Sequence, residues 1–203
     1  MAPRVLVTAF EPFGGSAVNA SAAMLEALRV EEVELTRVVL PCAFGPDLAA
    51  LDAALDRCRP DWVIATGEAG GRGAISLERV AINVVDARIP DNAGAQPVDV
   101  PVIEGGPAAY WTSLPIKAMA ARLRAEGFPA EISQTAGTFV CNHLFYGLMD
   151  RLAGREGVRG GFVHVPASAE RLPPARAALG IAVALSEALR RSADLRVAEG
   201  RLD

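Results

Sequence analysis

Residues 133–146 have the sequence SQTAGTFVCNHLFY, in which a short β-type segment passes through a glycine turn into a helical pattern. With Thr138 as the N-cap, Cys141 is the third helical position, close to backbone N–H groups that lack partners within the helix. These donors and the positive end of the helix dipole favour an anion, so the pattern predicts a thiol that ionises below its usual pKa. The alternative is a buried cysteine that serves as a small hydrophobic side chain.

Apolar β-type runs alternate with helical patterns on both sides of this segment. Strands are predicted for residues 4–10, 33–41, 61–67, 75–85, 130–137 and 160–166. Helices are predicted for residues 20–29, 46–58, 116–126, 139–152 and 174–192. The alternation predicts a three-layer α/β/α sandwich around a mixed, mainly parallel twisted sheet, with a ligand site beyond the carboxyl ends of the strands.

The length of 203 residues is that of one domain, so we expect a single domain over 1–203 with a loose polar tail at 193–203. A net charge of −4 argues against nucleic acid or an acidic membrane surface as partner and favours a neutral small ligand. The sequence shows neither a signal peptide nor an apolar run that could span a membrane, which predicts a soluble cytoplasmic protein.

Three widely spaced cysteines, Cys42, Cys58 and Cys141, contain no C-x-x-C pair. Neither a disulfide framework nor a zinc site is therefore indicated, and no metal or cofactor is expected. The glycine-rich segment 66–73 is a weak phosphate-loop candidate, because a strand rather than a helix follows it. Residues 86–114 are predicted to be a long, packed, functional loop without regular structure.

The chain has only two histidines that could serve Cys141 as a general base. His143 is two positions away on the same helix, where side chains point to different faces, so it is predicted to be a packing or loop-binding residue. His164 lies near the end of an apolar strand at the expected carboxyl edge of the sheet and is the better base. The alternative for His164 is a hydrogen-bonded core residue.

Glu78 lies within the predicted strand 75–85, where alternation places it on one face with Val80, Ile82 and Val84. If that face is buried, the carboxylate either orients an imidazole or forms an ion pair, with Arg79 or Arg88 as candidates. The third possibility is that this face is exposed to solvent.

The motifs resemble, nearly end to end, the cysteine peptidase family of pyroglutamyl-peptidase I, also called pyrrolidone-carboxylate peptidase. They are VTAFEPFGG at 7–15, GEAGGR at 67–72, SLERVAIN at 76–83, DARIPDNAGAQPVD at 86–99, LPIKAM at 114–119, TAGTFVCNHLFYGLM at 135–149 and FVHVP at 162–166. The resemblance implies removal of an N-terminal pyroglutamyl residue from peptides through a catalytic set of Glu78, Cys141 and His164, without cofactor or metal. It also implies a homo-oligomer, commonly a tetramer.

The resemblance further implies an apolar slot for the neutral lactam ring. Its walls map onto Phe10, Phe13, Ile89, Phe139 and Val140, and Asn19 matches a position that can meet the lactam carbonyl.

Arg88 resembles an arginine near the catalytic centre that could steady the oxyanion or Glu78. Its alternative is a salt bridge to Asp86 or Asp91.

The chain departs from the family pattern at Glu68 (usually Gln), at Ala20 (often Pro) and at Cys42 (commonly a small residue). Glu68 would alter substrate affinity if its side chain faces the ring. Cys42 near the pocket would make the protein more sensitive to oxidation.

Two other functions fit parts of the sequence. A non-catalytic protein that binds a pyroglutamyl or nucleoside-like ligand would keep the phenylalanine slot but would not need Cys141, His164 and Glu78 together. A general cysteine peptidase would need an extended cleft for several residues, which one compact pocket hardly provides.

Overall fold

The computed structural model describes residues 2–200. Its strands are β1 (Arg4–Phe10), β2 (Glu34–Leu40), β3 (Trp62–Ala69), β4 (Ile75–Glu78), β5 (Val80–Ile82), β6 (Ala109–Trp111), β7 (Ala130–Ser133) and β8 (Arg159–Pro166). Its helices are α1 (Ala20–Ala27), α2 (Pro46–Cys58), α3 (Ile116–Ala125), α4 (Val140–Ala153) and α5 (Pro174–Leu189). Proline opens α2 and α5 at positions where a missing N–H has no cost to the helix.

Six strands form one sheet in the order β2-β1-β3-β8-β4-β7. Strands β2, β1, β3 and β8 are parallel, whereas β4 is antiparallel to β8 and parallel to β7. The predicted mixed, mainly parallel sheet is therefore confirmed. The carboxyl ends of β1, β3 and β8 meet at one edge, which is where a ligand site is expected in a sheet of this kind.

Helices cover both faces of the sheet, as the three-layer prediction requires. On one face, α1, α3 and α5 pack on a core that includes Val7, Ile64 and Val163. On the other face, α2 and α4 pack on a core that includes Leu6 and Phe162. Apolar residues in the parallel central strands face both cores, which explains why these strands are nearly continuous apolar runs.

The predicted strand 75–85 is two strands in different sheets, because the chain turns away at Arg79. The Arg79 N–H donates to the Ser133 carbonyl, and its own carbonyl accepts from the Thr112 N–H. Beyond the break, β5 pairs with β6 in a separate two-stranded sheet, and the Asn142 side chain bonds to both backbone groups of Ile82. The prediction that Glu78 shares a face with Val80, Ile82 and Val84 was wrong, since alternation holds only within an unbroken strand.

Residues 86–114 were predicted to lack regular structure and to be packed, and both expectations need correction. The segment contains β6, and Val100 forms a β-bridge with Val85. Val98 is 61% exposed, so the apolar side chains of this loop are not all packed.

The tail from residue 193 is tied to the domain as far as the structure describes it. Asp194 accepts hydrogen bonds from the N–H groups of Lys117 and Ala118 in the first turn of α3. Glu199 forms a two-bond ion pair with Arg124. The predicted loose tail is thus wrong for residues 194–199, because helix capping and ion pairing fix it, and residues 201–203 lie outside the described part. Within residues 2–200, no helix has the length and apolar character needed to cross a membrane.

Candidate active site

Cys141 occupies the second helical position of α4, because the N-cap is Phe139 rather than the predicted Thr138. The Thr138 hydroxyl instead donates to the Asp86 carbonyl at 2.8 Å, which ties this turn to the loop after β5. No side chain caps the helix, so the backbone donors of its first turn remain available to a bound group. The position therefore combines a thiol with free N–H donors that could hold an oxyanion.

The thiol of Cys141 is not primed in the way that its place on the helix predicts. Burial raises the pKa of Cys141, and the neighbouring Cys42, Glu78 and Glu68 raise it further, while Arg72 opposes them. The raised pKa favours a protonated thiol at Cys141 in the resting protein. A base must remove its proton during attack.

We expect iodoacetamide to alkylate Cys141 slowly at neutral pH and increasingly fast above pH 9.0, the ordinary thiol value. A raised pKa leaves the protein below that pH with little of the reactive thiolate. Peptide mapping of substrate-free protein across pH measures the rate at Cys141 separately from that at Cys42 and Cys58. A rate that is already at its plateau at neutral pH would contradict a protonated resting thiol.

His164 and Glu78 form a buried pair on neighbouring strands. The Nδ1 atom of His164 lies 2.7 Å from Oε1 of Glu78, and both residues are at most 4% exposed. The antiparallel register of β4 and β8 sets Ser76 opposite His164, which brings Glu78, two residues on, to the same face. Because Nδ1 is hydrogen-bonded to the carboxylate, Nε2 is the ring nitrogen that can accept a proton from a nucleophile.

Gly67 on β3 adjoins both Cys141 and the strand position of His164. It pairs with His164 across the β3–β8 register. A Cβ atom on Gly67 would lie 2.9 Å from the Cys141 Sγ and 2.9 Å from the Phe162 ring. The sulfur thus occupies the space that a side chain on Gly67 would take. His164 is the neighbour of Gly67 on β8, so the sulfur lies near this histidine's position at the carboxyl edge of the sheet.

Replacement of Gly67 with alanine is expected to lower kcat/KM for the pyroglutamyl substrate that the family resemblance implies by about 10²-fold, because the methyl group must displace the sulfur or the Phe162 ring. Overpacking should also cost about 1–3 kcal/mol of unfolding free energy. Gly70→Ala is the matched control, since a Cβ there meets nothing within 4 Å. Equal kinetics for Gly67→Ala and the wild type would show that the close approach does not position the nucleophile.

Arg72 is the ion-pair partner of Glu78, a pairing that was not predicted from the sequence. Its Nη1 donates to Oε1 of Glu78 at 2.6 Å, and its Nη2 donates to the Thr135 carbonyl at 2.8 Å. The candidates Arg79 and Arg88 do not make this contact. The GEAGGR motif was the available signal, but spacing alone does not show that the turn after β3 folds back over β4.

His143 has a separate partner on α2. Its Nδ1 lies 2.7 Å from Oδ2 of Asp47, and its ring meets that of Phe44 edge to face at 5.3 Å. This places His143 between α2 and α4, where it joins two elements of the same layer. His143 is therefore in a packing position, as the i, i+2 argument predicts.

An aromatic cluster lies at the start of α4. Phe139 meets Phe13 at 6.0 Å between ring centroids and Phe44, in an edge-to-face arrangement, at 5.5 Å. Phe10 and Val140 are buried in the adjoining core. The structure thus gathers four of the predicted slot residues, and Phe44 lies beside them. Phe44 was not predicted because it lies in a loop without a motif of its own.

Ile89 approaches the same region from the loop after β5. A Cβ on Gly14 would lie 3.7 Å from its Cδ1 atom, so this loop meets the loop that carries Phe13. Ile89 itself is 42% exposed, which leaves one of its surfaces open to a ligand.

The side chains of Asn19 and Glu68 are engaged at the start of α1. Oδ1 of Asn19 accepts from the Ser21 N–H at 2.9 Å, and its Nδ2 donates to the Glu11 carbonyl at 3.2 Å. Oε2 of Glu68 accepts from the Ala20 N–H at 2.6 Å. Both residues therefore cap α1 and its preceding loop, and direct contact with a ligand stays a prediction for each.

Arg88 is exposed and forms no ion pair with any residue between 2 and 200. Its alternative partner Asp91 accepts from backbone N–H groups of Phe44, Ala93 and Ala95 instead. The structure therefore brings Arg88 neither to Glu78 nor to an anchoring carboxylate.

Cys42 is buried, and burial, together with nearby carboxylates such as Glu11 and Asp47, raises its pKa to about 12. A thiol in that state holds little thiolate at neutral pH, so the expected sensitivity of Cys42 to oxidation is low rather than high.

The comparisons with known proteins agree on one family. The sequence profile of the Peptidase_C15 family, described as pyroglutamyl peptidase, matches residues 3–183. A pyrrolidone-carboxylate peptidase of Enterobacter sp. (strain 638) is 48% identical over 208 residues, which cover 97% of each chain. One of Cupriavidus taiwanensis is 50% identical, with 98% of this chain and 99% of the relative covered.

Solved structures give the same result. The crystal structure of pyroglutamyl peptidase I from Bacillus amyloliquefaciens superposes with a TM-score of 0.92 at 42% identity, covering 98% of this chain and 100% of that one. A mutant pyrrolidone carboxyl peptidase from Pyrococcus furiosus superposes with a TM-score of 0.87 at 35% identity, covering 92% and 98%. Matches of this extent, in both sequence and structure, show that the chain belongs to the pyroglutamyl peptidase family of cysteine peptidases.

Proposed function

We propose that this protein hydrolyses the N-terminal pyroglutamyl residue from peptides, with Cys141 as nucleophile, His164 as general base and acid, and Glu78 as the residue that orients the imidazole. The observation that carries the proposal is the buried His164–Glu78 pair, whose strand position adjoins the Cys141 sulfur at the open start of α4. A nucleophile, a base and an orienting acid in this order are the parts that acyl transfer needs.

Acylation begins when the Cys141 sulfur attacks the carbonyl carbon of the peptide bond that follows the pyroglutamyl ring. The thiol proton moves to Nε2 of His164 at the same time. The oxyanion that forms is held by backbone N–H groups of the first turn of α4. The C–N bond then breaks while His164 returns its proton to the leaving amine. The products of this step are a shortened peptide and a thioester between the pyroglutamyl group and Cys141.

Deacylation reverses the roles with water as nucleophile. His164 takes a proton from the water as its oxygen attacks the thioester carbonyl. The C–S bond breaks, the sulfur regains a proton from His164, and free pyroglutamate leaves. Throughout both steps, the Nδ1–H group of His164 donates a hydrogen bond to Glu78. This bond fixes the tautomer of the imidazole and stabilises the imidazolium that forms in each step.

The aromatic cluster of Phe13, Phe44 and Phe139 supplies a slot for the lactam ring. Flat, apolar faces suit a compact neutral ring better than a charged socket would. Phe10 and Val140 support the cluster from the core, and Ile89 closes it from the loop side. Asn19 holds the loop that carries Phe13 through its hydrogen bond to the Glu11 carbonyl, and Glu68 holds the start of α1 by accepting from the Ala20 N–H.

We also propose that the protein acts in the cytoplasm as a single-domain chain in a homotetramer. Its three cysteines are free, which suits a reducing compartment. The tetramer rests on the family resemblance, and sedimentation equilibrium of the purified protein tests it directly.

Hydrolysis of pyroglutamyl-, prolyl- and glutamyl-aminomethylcoumarin by the purified, reduced protein tests the proposed function. We expect the pyroglutamyl compound alone to be cleaved, because the prolyl amine and the open glutamyl chain place charge in an apolar slot. A folded, reduced protein that cleaves none of the three, yet binds pyroglutamate, would instead support the non-catalytic binding protein.

A further inference from the structure

Arg72 touches the acid of the proposed catalytic set, although it lies outside that set. It follows a turn in which Gly71 has a positive φ of 83°, a conformation that favours glycine. The turn directs the guanidinium back over β4, where Nη1 reaches Oε1 of Glu78 and Nη2 reaches the Thr135 carbonyl. Its side chain is 24% exposed, whereas that of Glu78 is fully buried, so Arg72 covers the carboxylate from the solvent side.

A single carboxylate oxygen receives both donors. Oε1 of Glu78 accepts from Arg72 at 2.6 Å and lies 2.7 Å from Nδ1 of His164, while Oε2 is buried without a hydrogen-bond partner among residues 2–200. The direction in which the carboxylate points is therefore fixed by Arg72 and His164 together. Without the guanidinium, a buried carboxylate would turn toward other donors or water.

The hydrogen bond from Arg72 to the Thr135 carbonyl connects Arg72 to a second part of the site. It belongs to the segment between β7 and α4, five residues before the helix that carries Cys141 begins. The guanidinium thus bridges the strand of the orienting acid and the segment that leads to the nucleophile. A planar group with fixed donors suits such a bridge better than a lysine would.

We propose that Arg72 is a positioning residue that orients Glu78 toward His164 and holds the segment before α4. Its positive charge also disfavours the protonated form of His164, which leaves the imidazole neutral and able to act as a base. This proposal rests on the proposed function of Cys141, His164 and Glu78. A guanidinium that shares the carboxylate weakens the stabilisation that Glu78 gives to an imidazolium. A neutral imidazole is what the first proton transfer from the Cys141 thiol needs.

The charged and titratable groups around His164 come from several elements. Glu78 lies on β4, Arg72 in the turn after β3, and Cys141 on α4. Three more titratable groups lie around these residues: Cys42 and Glu68, which act on Cys141, and Glu131 of β7, which accepts from the Ser76 hydroxyl opposite His164. Arg72 is the cation of this set, so its removal should favour protonation of His164.

The test is proton NMR of the imidazole groups across pH in wild-type protein and in Arg72→Met, without substrate. With only two histidines in the chain, a His143→Gln variant assigns the signals. Because Arg72→Met removes the cation that contacts Glu78, we expect the midpoint of the His164 titration to move to higher pH in this variant. The acid limb of kcat/KM should move with it, and kcat at neutral pH should fall about tenfold while KM stays within about twofold.

Two further variants separate charge from geometry. Arg72→Lys keeps the charge but cannot span both acceptors, so its titration should match the wild type while kcat still falls. Arg171→Met is the matched control, because Arg171 donates to the Gly71 carbonyl in the same turn at 3.0 Å without touching Glu78. It should leave both the titration and the kinetics unchanged.

A wild-type titration of His164 in Arg72→Met, or an equal shift in Arg171→Met, would overturn the proposal. If Arg72→Met does not give a folded spectrum, Arg72→Gln, which is neutral but retains a donor, is judged by the same criteria. The NMR titration needs no turnover, so a failure of pyroglutamyl hydrolysis would refute the function while the coupling of Arg72 to His164 is still measured. An unchanged titration in an active enzyme would refute only the role of Arg72.

Discussion

Replacement of Cys141 with alanine is expected to lower kcat for pyroglutamyl-aminomethylcoumarin by about 10⁵-fold or more, which is the scale for the loss of a nucleophile that acts as a unit with its base. The Cys141 sulfur is the reactive group nearest to the position that a Cβ atom on Gly67 would take. The fold should survive, because the change removes one sulfur atom beside a strand that has no side chain there. Steady-state kinetics and a thermal melt check both expectations.

Cys58→Ala is the matched control for that experiment. Cys58 is a half-buried thiol at the end of α2 whose sulfur donates to the Ala54 carbonyl. Its loss should leave turnover unchanged. Wild-type turnover in Cys141→Ala, or an equal loss in both variants, would remove Cys141 from the mechanism.

Replacement of Glu78 with glutamine is expected to lower kcat by about 10³–10⁴-fold with little change in KM. The amide has almost the same shape, but it is neutral and can no longer both accept from Arg72 and stabilise the His164 imidazolium. The ring slot is made by other side chains, so substrate should still bind. Initial rates across substrate concentration separate the two effects.

Glu131→Gln provides the comparison for Glu78→Gln. Glu131 lies on β7 of the same sheet and accepts from the Ser76 hydroxyl at 2.7 Å, so it receives the same chemical change outside the proposed set. We expect its kcat to stay within about twofold of the wild type. A Glu78→Gln variant that turns over like Glu131→Gln, with an intact structure, would show that the acid does not orient the base.

The sequence was sufficient to predict the layers of the fold. Apolar runs in the central strands and clear helical periodicity reflect burial on two faces, and burial is a local property of each segment. The preference for His164 over His143 also followed from local geometry, since two side chains that are two positions apart on a helix diverge. In the structure the two histidines have separate partners, Glu78 for His164 and Asp47 for His143, and the role of His164 as base stays a prediction.

Features that depend on distant backbone groups were not predictable. The break at Arg79 requires acceptors and donors on residues 133 and 112, and the N-cap at Phe139 arises because Thr138 bonds to Asp86. The Arg72–Glu78 contact likewise depends on how a turn folds back over its neighbour. The raised pKa of Cys141 reflects burial by the assembled chain, which a helix-position argument does not include.

The most direct test of the account is to trap the acyl-enzyme. An activated ester of pyroglutamate makes acylation fast, so an acid quench followed by peptide mass spectrometry should find one pyroglutamyl group, bound to the peptide that contains Cys141. The matching prolyl ester should leave that peptide unmodified, and Cys141→Ala should remain unmodified with either ester. A pyroglutamyl group on another residue, or equal labelling of Cys141 by both esters, would contradict a ring-specific cysteine peptidase.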